Sequence, residues 1–141
     1  MKKVVSFLAL FAMFIALSAC SYNLTEKSDI ISLYQKNEKI FLLAAENGDY
    51  SAIERINGVQ KVLVWDTYID IQCGGAGFGS GTHYYGIFYS VDDNLCAIDV
   101  AGPRDSLVEY GDGYLYQEEN GDNHYYIEPL GNHFYYYEAH F

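Results

Sequence analysis

A thiol, a run of glycines and an imidazole follow one another between Cys73 and His83, and together they could form several kinds of active site. Five of the eight residues from Gly74 to Gly81 are glycine. A phosphate-binding P-loop needs a lysine and a Ser or Thr after its last glycine, and no lysine follows this run. A dinucleotide-binding loop leads from a strand into a helix, whereas the residues after Gly81 alternate like a strand. We therefore predict a connection between strands, without a nucleotide site.

Cys73 and His83 would face each other across the two ends of this connection, as a nucleophile and its general base must. A reactive thiol also needs a lowered pKa, which a helix N-terminus or a cationic neighbour supplies. Cys73 instead ends a predicted strand on its apolar side, and no helix begins after it. We predict a buried, unreactive thiol and assign no catalytic residue.

The remaining histidines and acids do not have the spacing of a metal site. The chain has four histidines: His83, His124, His133 and His140. None belongs to a helical pair or lies beside a cysteine pair, the spacings that zinc sites use. The oxygen-rich turns at 92–94 and 118–123 lack the ligand pattern of a calcium loop, so calcium is the weaker alternative to ordinary turns. Asp66 and Asp70, on one strand face, would lie about 13 Å apart. We expect no metal and no cofactor.

Phe78 is the one large side chain within the glycine-rich connection. With about eight residues, the connection is longer than most hairpin loops. The favoured expectation is that Phe78 folds back over the end of the sheet, as isolated apolar loop residues commonly do. The alternative is a possible partner contact presented at the tip of the loop, since aromatic anchors dominate protein interfaces.

Helices and strands must position these residues, and the helices come first. Ser28 or Asp29 can cap a helix whose apolar residues recur at helical spacing until the Asn-Gly pair at 47–48 ends it. Asp49 is expected to cap a short second helix over 50–56.

After residue 58 the apolar residues alternate, which predicts strands with one buried and one wetter face. Residues 61–73 are predicted as a single strand with Ile69, Ile71 and Cys73 on the buried side. Short connections join about six strands, and short connections favour antiparallel neighbours. The expected fold is a single α+β domain over 28–141, with an N-terminal helix and a short second helix packed on an antiparallel β-meander. A sheet closed on itself is the alternative.

The strand order of a meander also bears on the two cysteines of the sheet. Cys73 is expected opposite His83, and Cys96 on the next strand, at the far end of the strand that begins at His83. The two thiols would then lie roughly 23 Å apart along the strands. A disulfide requires Cα atoms within about 7 Å, so we predict that these cysteines are not bonded to each other.

The first twenty residues carry the features of an export signal. Two lysines precede an apolar run over 4–17, which small residues connect to Cys20. The sequence LSAC at 17–20 resembles the lipobox of bacterial lipoproteins. The resemblance implies that residues 1–19 are removed as a signal peptide and that Cys20 is lipidated, with a tether over 20–27. Acyl chains would then hold the protein at the extracytoplasmic face of the cell membrane. A plain secreted signal or a membrane-spanning anchor is the alternative.

Removal of the signal peptide makes the chain more acidic. Loss of Lys2 and Lys3 leaves six basic and 19 acidic residues, a net charge of −13. Such a surface repels phosphate backbones, so no nucleic-acid partner is expected. It also repels anionic headgroups, so attachment to a membrane must come from acyl chains rather than from a basic patch.

Two longer stretches carry a second resemblance. The sequences CGGAGFGSGTHYYGIFYS at 73–90 and GNHFYYYEAHF at 131–141 resemble a group of small, uncharacterised lipoproteins of Gram-positive anaerobes, over roughly 59–141. The resemblance implies a cell-surface location and supplies no activity. We interpret the chain as a surface-tethered binding or inhibitory module with an unknown protein or cell-wall partner. A small cell-wall-directed hydrolase is the alternative, disfavoured because no nucleophile, base and orienting residue emerge at workable spacing.

Overall fold

The computed structural model describes residues 23–78, 81–95 and 107–141. In these residues one α-helix, one 3-10 turn and seven strands form a mixed α+β architecture that is mostly sheet. The elements in chain order are α1 (Lys27–Asn47), the 3-10 turn (Ile53–Arg55), β1 (Lys61–Val64), β2 (Ile69–Ala76), β3 (His83–Tyr89), β4 (Val108–Tyr110), β5 (Gly113–Gln117), β6 (His124–Gly131) and β7 (Phe134–His140).

The helix α1 begins one residue before the first predicted capping residue. Glu26 occupies its N-cap position, and no side-chain hydrogen bond caps the helix there. The helix ends at Gly48, whose φ of 69° is left-handed and whose N–H donates to the carbonyl of Ala44, as the Asn-Gly pair predicts. The buried side chains of the helix form its apolar face: Ile30, Leu33, Tyr34, Phe41 and Ala44. Within the described residues, no helix combines the length and apolar character needed to cross a membrane.

The predicted second helix is wrong, because only a three-residue 3-10 turn forms over Ile53–Arg55. Asp49 accepts a hydrogen bond of 3.0 Å from the N–H of Ser51, which closes a local turn instead of capping a helix. A segment of seven residues is too short to offset the cost of helix nucleation on its own. The burial of Ile53 in the core holds this segment in place.

The strand predicted over 61–73 is two strands, β1 and β2, which form a hairpin. The N–H of Trp65 donates to the carbonyl of Tyr68 at 2.9 Å and closes the turn between them. Apolar residues continue to alternate through the turn, so the alternation in the sequence did not reveal where β1 ends and β2 begins. Asp66 and Thr67, which are common turn residues, are the signal that was missed. The extra strand raises the count from about six to seven.

The sheet is wholly antiparallel, with the order β1-β2-β3-β7-β6-β5-β4. Consecutive strands are neighbours except at one place, where β3 pairs with β7 from His83↔His140 to Tyr89↔Phe134. The predicted simple meander is therefore wrong there. After β3 the chain crosses to the opposite edge, and β4 to β7 return to the centre. Strands that are apolar on both sides favour a central position in a sheet covered on both faces.

Each face of the sheet carries a buried core, so the expectation of one wetter face is wrong as well. One face packs against α1, and its core includes Phe41, Ile71, Ile87, Phe134 and Tyr136. The second face has its own core of buried side chains: Phe88, Tyr125, Ile127, Tyr135, Tyr137 and Ala139. Four consecutive residues at the start of β7, 134–137, are buried because they alternate between these two cores.

Several predictions concern residues outside those that the structure describes, namely the signal peptide over 1–19, Cys20 and Cys96. Cys73 is a free, fully buried thiol. Its predicted position opposite His83 is wrong, because Ala76 pairs with His83 and Cys73 lies at a register shift next to Gly74. The predicted strand order is therefore wrong, and it no longer supports the distance that we inferred between Cys73 and Cys96.

Candidate functional site

The residues just before α1 are fastened to β2, and we call these contacts of Asn23 and Leu24 the N-terminal clamp. The N–H of Leu24 donates to the carbonyl of Cys73 at 3.0 Å. The side-chain oxygen of Asn23 accepts the N–H of Gly75 at 2.9 Å, and its amide nitrogen donates to the carbonyl of Gly75 at 3.3 Å. Because β1 pairs with β2 only as far as Gln72, the clamp covers the edge of β2 beyond that residue. The predicted tether over 20–27 thus ends in packed residues.

The N-terminal clamp explains why the glycine run begins with glycine at position 74. A Cβ on Gly74 would lie 1.8 Å from the carbonyl oxygen of Leu24, so no larger residue allows this approach. Residues 74–76 belong to β2, and the connection between β2 and β3 is 77–82, six residues instead of about eight. Gly77 begins the connection with a φ of 115°, which glycine adopts without strain. The prediction of a connection between strands is confirmed, and its bounds are corrected.

Phe78 lies in that connection and is 99% exposed. The favoured expectation that it folds back over the end of the sheet is therefore wrong. Thr82 and Phe141 close this end instead, through two backbone hydrogen bonds of 3.2 and 3.0 Å. The ring of Phe141 also contacts Tyr84 at a centroid distance of 6.1 Å. The geometry agrees with the alternative, a phenylalanine presented to solvent.

Three histidines lie side by side at this end of the sheet, which we call the histidine end. His140 on β7 pairs with His83 on β3 and with His124 on β6, at ring centroid distances of 3.9 and 3.8 Å. Burial, followed by the charges of His124 and His83, lowers the pKa of His140. Across the parts of the chain that the structure describes, no group of three or more His, Cys, Asp or Glu side chains is arranged to hold a metal ion. Sequence reasoning missed this row because it depends on the β3–β7 pairing.

The opposite end of the sheet, where β1 turns into β2 and β3 ends, carries the tryptophan, and we call it the tryptophan end. Trp65 stacks on Tyr68 at 5.9 Å and an interplanar angle of 21°. Tyr68 contacts Phe88 at 5.5 Å, and Phe88 contacts Tyr135 at 6.1 Å. A continuous aromatic row therefore runs from the second core to Trp65, which is 53% exposed. Val91, which follows β3 at this end, is exposed as well.

An acid and a histidine meet beside the buried end of this row. Asp93 accepts hydrogen bonds from the hydroxyl of Tyr135 and from Nδ1 of His133, the latter at 2.8 Å. The hydrogen bond from Tyr135, followed by that from His133, lowers the pKa of Asp93. Asp93, Asn132 and His133 all have positive φ, from 53° to 65°. The acid thus stabilises two tight turns, one after β3 and one between β6 and β7.

This group does not form a catalytic triad with the nearby serine. Ser90 is fully buried. Its hydroxyl donates to Asp92 at 2.8 Å and accepts the N–H of Asn94 at 3.0 Å. A nucleophile must reach both its base and the substrate, and a buried hydroxyl engaged in a turn reaches neither.

Cys73 has the environment that the sequence predicted. Burial raises its pKa to about 12, so the reactive thiolate is scarce at neutral pH. His83 lies three strand positions farther along the β2–β3 pair, opposite Ala76. The predicted burial of Cys73 is confirmed, and Cys73 and His83 do not form a nucleophile–base pair.

Asp66 and Asp70 do not share one strand face, because Asp66 lies in the β1–β2 turn. Asp70 is buried in the second face of the sheet, where Tyr137 and Gln72 donate hydrogen bonds to it. Asp70 thus has a structural environment, with a hydrogen-bond donor at each carboxylate oxygen.

A surface groove of about 330 Å³ lies beside the start of α1. Lys27, Tyr126 and Glu138 line it. Lys27 binds the carboxylate of Glu128 and lies over the ring of Tyr126 at 5.1 Å. This cation is therefore engaged within the protein, and neither cysteine nor histidine lines the groove.

Comparison with known proteins gives no relative. The chain matches no protein-family model, no curated protein and no solved structure. The lipobox at Cys20 and the likeness to small lipoproteins therefore stay predictions from the sequence.

Proposed function

We propose that this protein is a lipid-anchored binding module of the extracytoplasmic membrane face, and that the tryptophan end binds its protein or cell-wall partner. The observation that carries the proposal is the exposed indole of Trp65, stacked on Tyr68. Tryptophan is the side chain most enriched at the energetic centres of protein interfaces.

The aromatic row makes this contact rigid before any partner arrives. Tyr68 is supported by Phe88, which is fully buried, so the indole of Trp65 rests on a packed base. A preorganised side chain loses less conformational entropy on binding than a mobile one. The exposed Val64 and Val91 add apolar surface at the same end.

The position of the tryptophan end suits a tethered protein. Cys20, the proposed anchor, lies three residues before Asn23. Asn23 binds Gly75 near the histidine end. The tryptophan end lies about 23 Å from Gly75 along the direction of β2. A domain anchored through Cys20 would hold Trp65 away from the membrane and accessible to other molecules.

The charge restricts the kind of partner. The proposed mature chain has a net charge of −13, and Asp66 and Asp92 flank Trp65 and Val91 in the sequence. Electrostatic complementarity favours a basic or neutral partner over an acidic one. The alternative of a cell-wall hydrolase has less support, because Cys73 and Ser90 are buried.

Capture of partners from cell-wall and secreted fractions tests the proposal. The bait is the unlipidated protein, residues 21–141, compared with its Trp65→Ala variant. Tyr110→Ala is the matched control, because Tyr110 is an exposed aromatic on the edge strand β4. We expect Trp65→Ala to lose the partner and Tyr110→Ala to keep it. Equal capture by the wild type and Trp65→Ala would contradict the assignment of the tryptophan end.

A further inference from the structure

Gly75 lies between two features that the sequence separates widely, the proposed lipid anchor and the exposed phenylalanine. The side chain of Asn23 binds both the N–H and the carbonyl of Gly75. Cys20 precedes Asn23 by three residues, and Phe78 follows Gly75 by three. Three residues span at most about 11 Å even when fully extended. Chain length alone therefore keeps both Cys20 and Phe78 close to the N-terminal clamp.

Phe78 is almost wholly exposed, and glycines flank it in the sequence. The neighbouring Thr82–Phe141 pair already closes the end of the sheet, so the ring of Phe78 is not needed to cover it. An aromatic ring held in water beside a lipid anchor gains by moving into the interfacial layer of the bilayer, where aromatic side chains are enriched.

The charge around Phe78 permits such an approach. Residues 71–91 contain no Asp, Glu, Lys or Arg, although the chain carries 19 acids. This stretch covers most of β2, the whole connection and β3. This stretch therefore adds no acidic side chain of its own that would repel anionic headgroups.

An acidic turn at the histidine end sets the orientation. Glu118, Glu119 and Asp122 lie in the connection between β5 and β6, and β7 separates β6 from β3. Two strand spacings, about 10 Å, lie between β3 and β6. In this orientation the corner formed by β2 and β3 faces the lipid. The acidic turn then lies farther from the headgroups.

We propose that Phe78 inserts into the lipid surface beside the acyl anchor and is a second membrane contact. The inference rests on the proposed lipidation of Cys20. A protein partner for Phe78 is the competing occupant, and the nearness of the anchor favours lipid.

Fluorescence of the full lipidated chain in phosphatidylcholine vesicles tests this contact. Trp65 is the one tryptophan of the chain, so the wild type reports on the tryptophan end. The variant Phe78→Trp with Trp65→Phe moves the indole to the connection. We expect bromine-labelled acyl chains to quench the indole at 78 several-fold and to leave the wild-type emission unchanged. Anionic phosphatidylglycerol should not increase the quenching.

The outcomes separate the anchor from the phenylalanine contact. Flotation with vesicles and quenching at 78 together support the proposal. Flotation without quenching overturns the lipid contact of Phe78 and leaves the anchor intact. A chain that does not float overturns the anchor and, with it, this inference. A partner protein that protects the indole at 78 from a water-soluble quencher, without bromolipid quenching, would assign Phe78 to that protein instead. Unchanged thermal unfolding of the variant, expected for an exposed residue, confirms that the fold is intact.

Discussion

The hydroxyl of Tyr137 donates a hydrogen bond of 2.6 Å to Oδ1 of Asp70, within the second face of the sheet. The side-chain amide of Gln72 donates to Oδ2 at 2.9 Å, so each carboxylate oxygen has a donor. Burial raises the pKa of Asp70, and the hydrogen bonds from Tyr137 and Gln72 oppose that rise. A charge is thus held in the interior by neutral donors.

We expect Tyr137→Phe to lower the free energy of unfolding at neutral pH by about 1–3 kcal/mol, because the buried carboxylate loses a donor. The loss should be smaller in an Asp70→Asn background, since an amide carries no charge to stabilise. Urea unfolding of the wild type, both single variants and the double variant measures this coupling. An equal loss in both backgrounds would show that Tyr137 acts by packing alone.

The raised pKa of Asp70 also predicts a pH dependence of stability. The folded pKa lies above the ordinary value of 3.8, so the folded protein binds this proton more tightly than the unfolded chain. The stabilisation that protonated Asp70 gives to the folded protein is complete below the unfolded pKa. It is lost as the pH rises through the folded pKa. Asp70→Asn should therefore gain stability relative to the wild type as the pH rises from about 3 to 7. Parallel stability curves for the two proteins would refute this.

Gly74→Ala should open the N-terminal clamp, because its Cβ would overlap the carbonyl oxygen of Leu24. We expect a loss of about 1–3 kcal/mol in stability, the usual cost of overpacking, and faster hydrogen exchange at the amides of Leu24 and Gly75. Gly81→Ala is the matched control, since a Cβ there meets no atom within 4 Å. Similar behaviour of the two variants would argue against the clamp.

Protonation of the histidine end should destabilise the fold. Burial and the neighbouring His124 and His83 lower the pKa of His140, while Glu138 raises it by a smaller amount. The unfolded chain therefore binds more protons than the folded protein, and stability falls as the pH drops below about 6.5 toward the folded pKa. His140→Gln should reduce the slope of stability between about pH 7 and 5. An identical slope in the wild type and His140→Gln would contradict the assignment.

The proposed lipid anchor predicts the behaviour of Cys20→Ala. Alkylation of the thiol precedes cleavage in lipobox proteins, so the variant should stay unprocessed or be released from the membrane. Detergent partitioning and the apparent mass of wild type and variant measure both outcomes. A mature-sized variant that remains in the membrane fraction as fully as the wild type would exclude lipidation of Cys20.

Local signals in the sequence were sufficient for part of the fold. Gly48 ends α1 as predicted, because the left-handed conformation after a helix depends on one residue. The short connections between β4 and β7 join antiparallel neighbours, as predicted. The pairing of β3 with β7 was not predicted, because it joins residues 45 to 57 positions apart, such as His83 and His140, and no turn encodes it.

The same limit applies to the candidate sites. The burial of Cys73 followed from its place on an apolar strand face. The exposure of Phe78 has no local signal in the sequence, and the exposure of Trp65 depends on a turn hidden within an alternating pattern. The histidine row required the strand order, which single residues do not specify.

The central place of β7 has a consequence for how the chain folds. This strand is the last in chain order, yet it lies between β3 and β6 and joins the two halves of the sheet. Until it is available, the inner edges of β3 and β6 have no partner, and both cores lack their most buried tyrosines. Pairings between distant segments form slowly. Folding of the whole sheet would therefore wait until β7 has been synthesised.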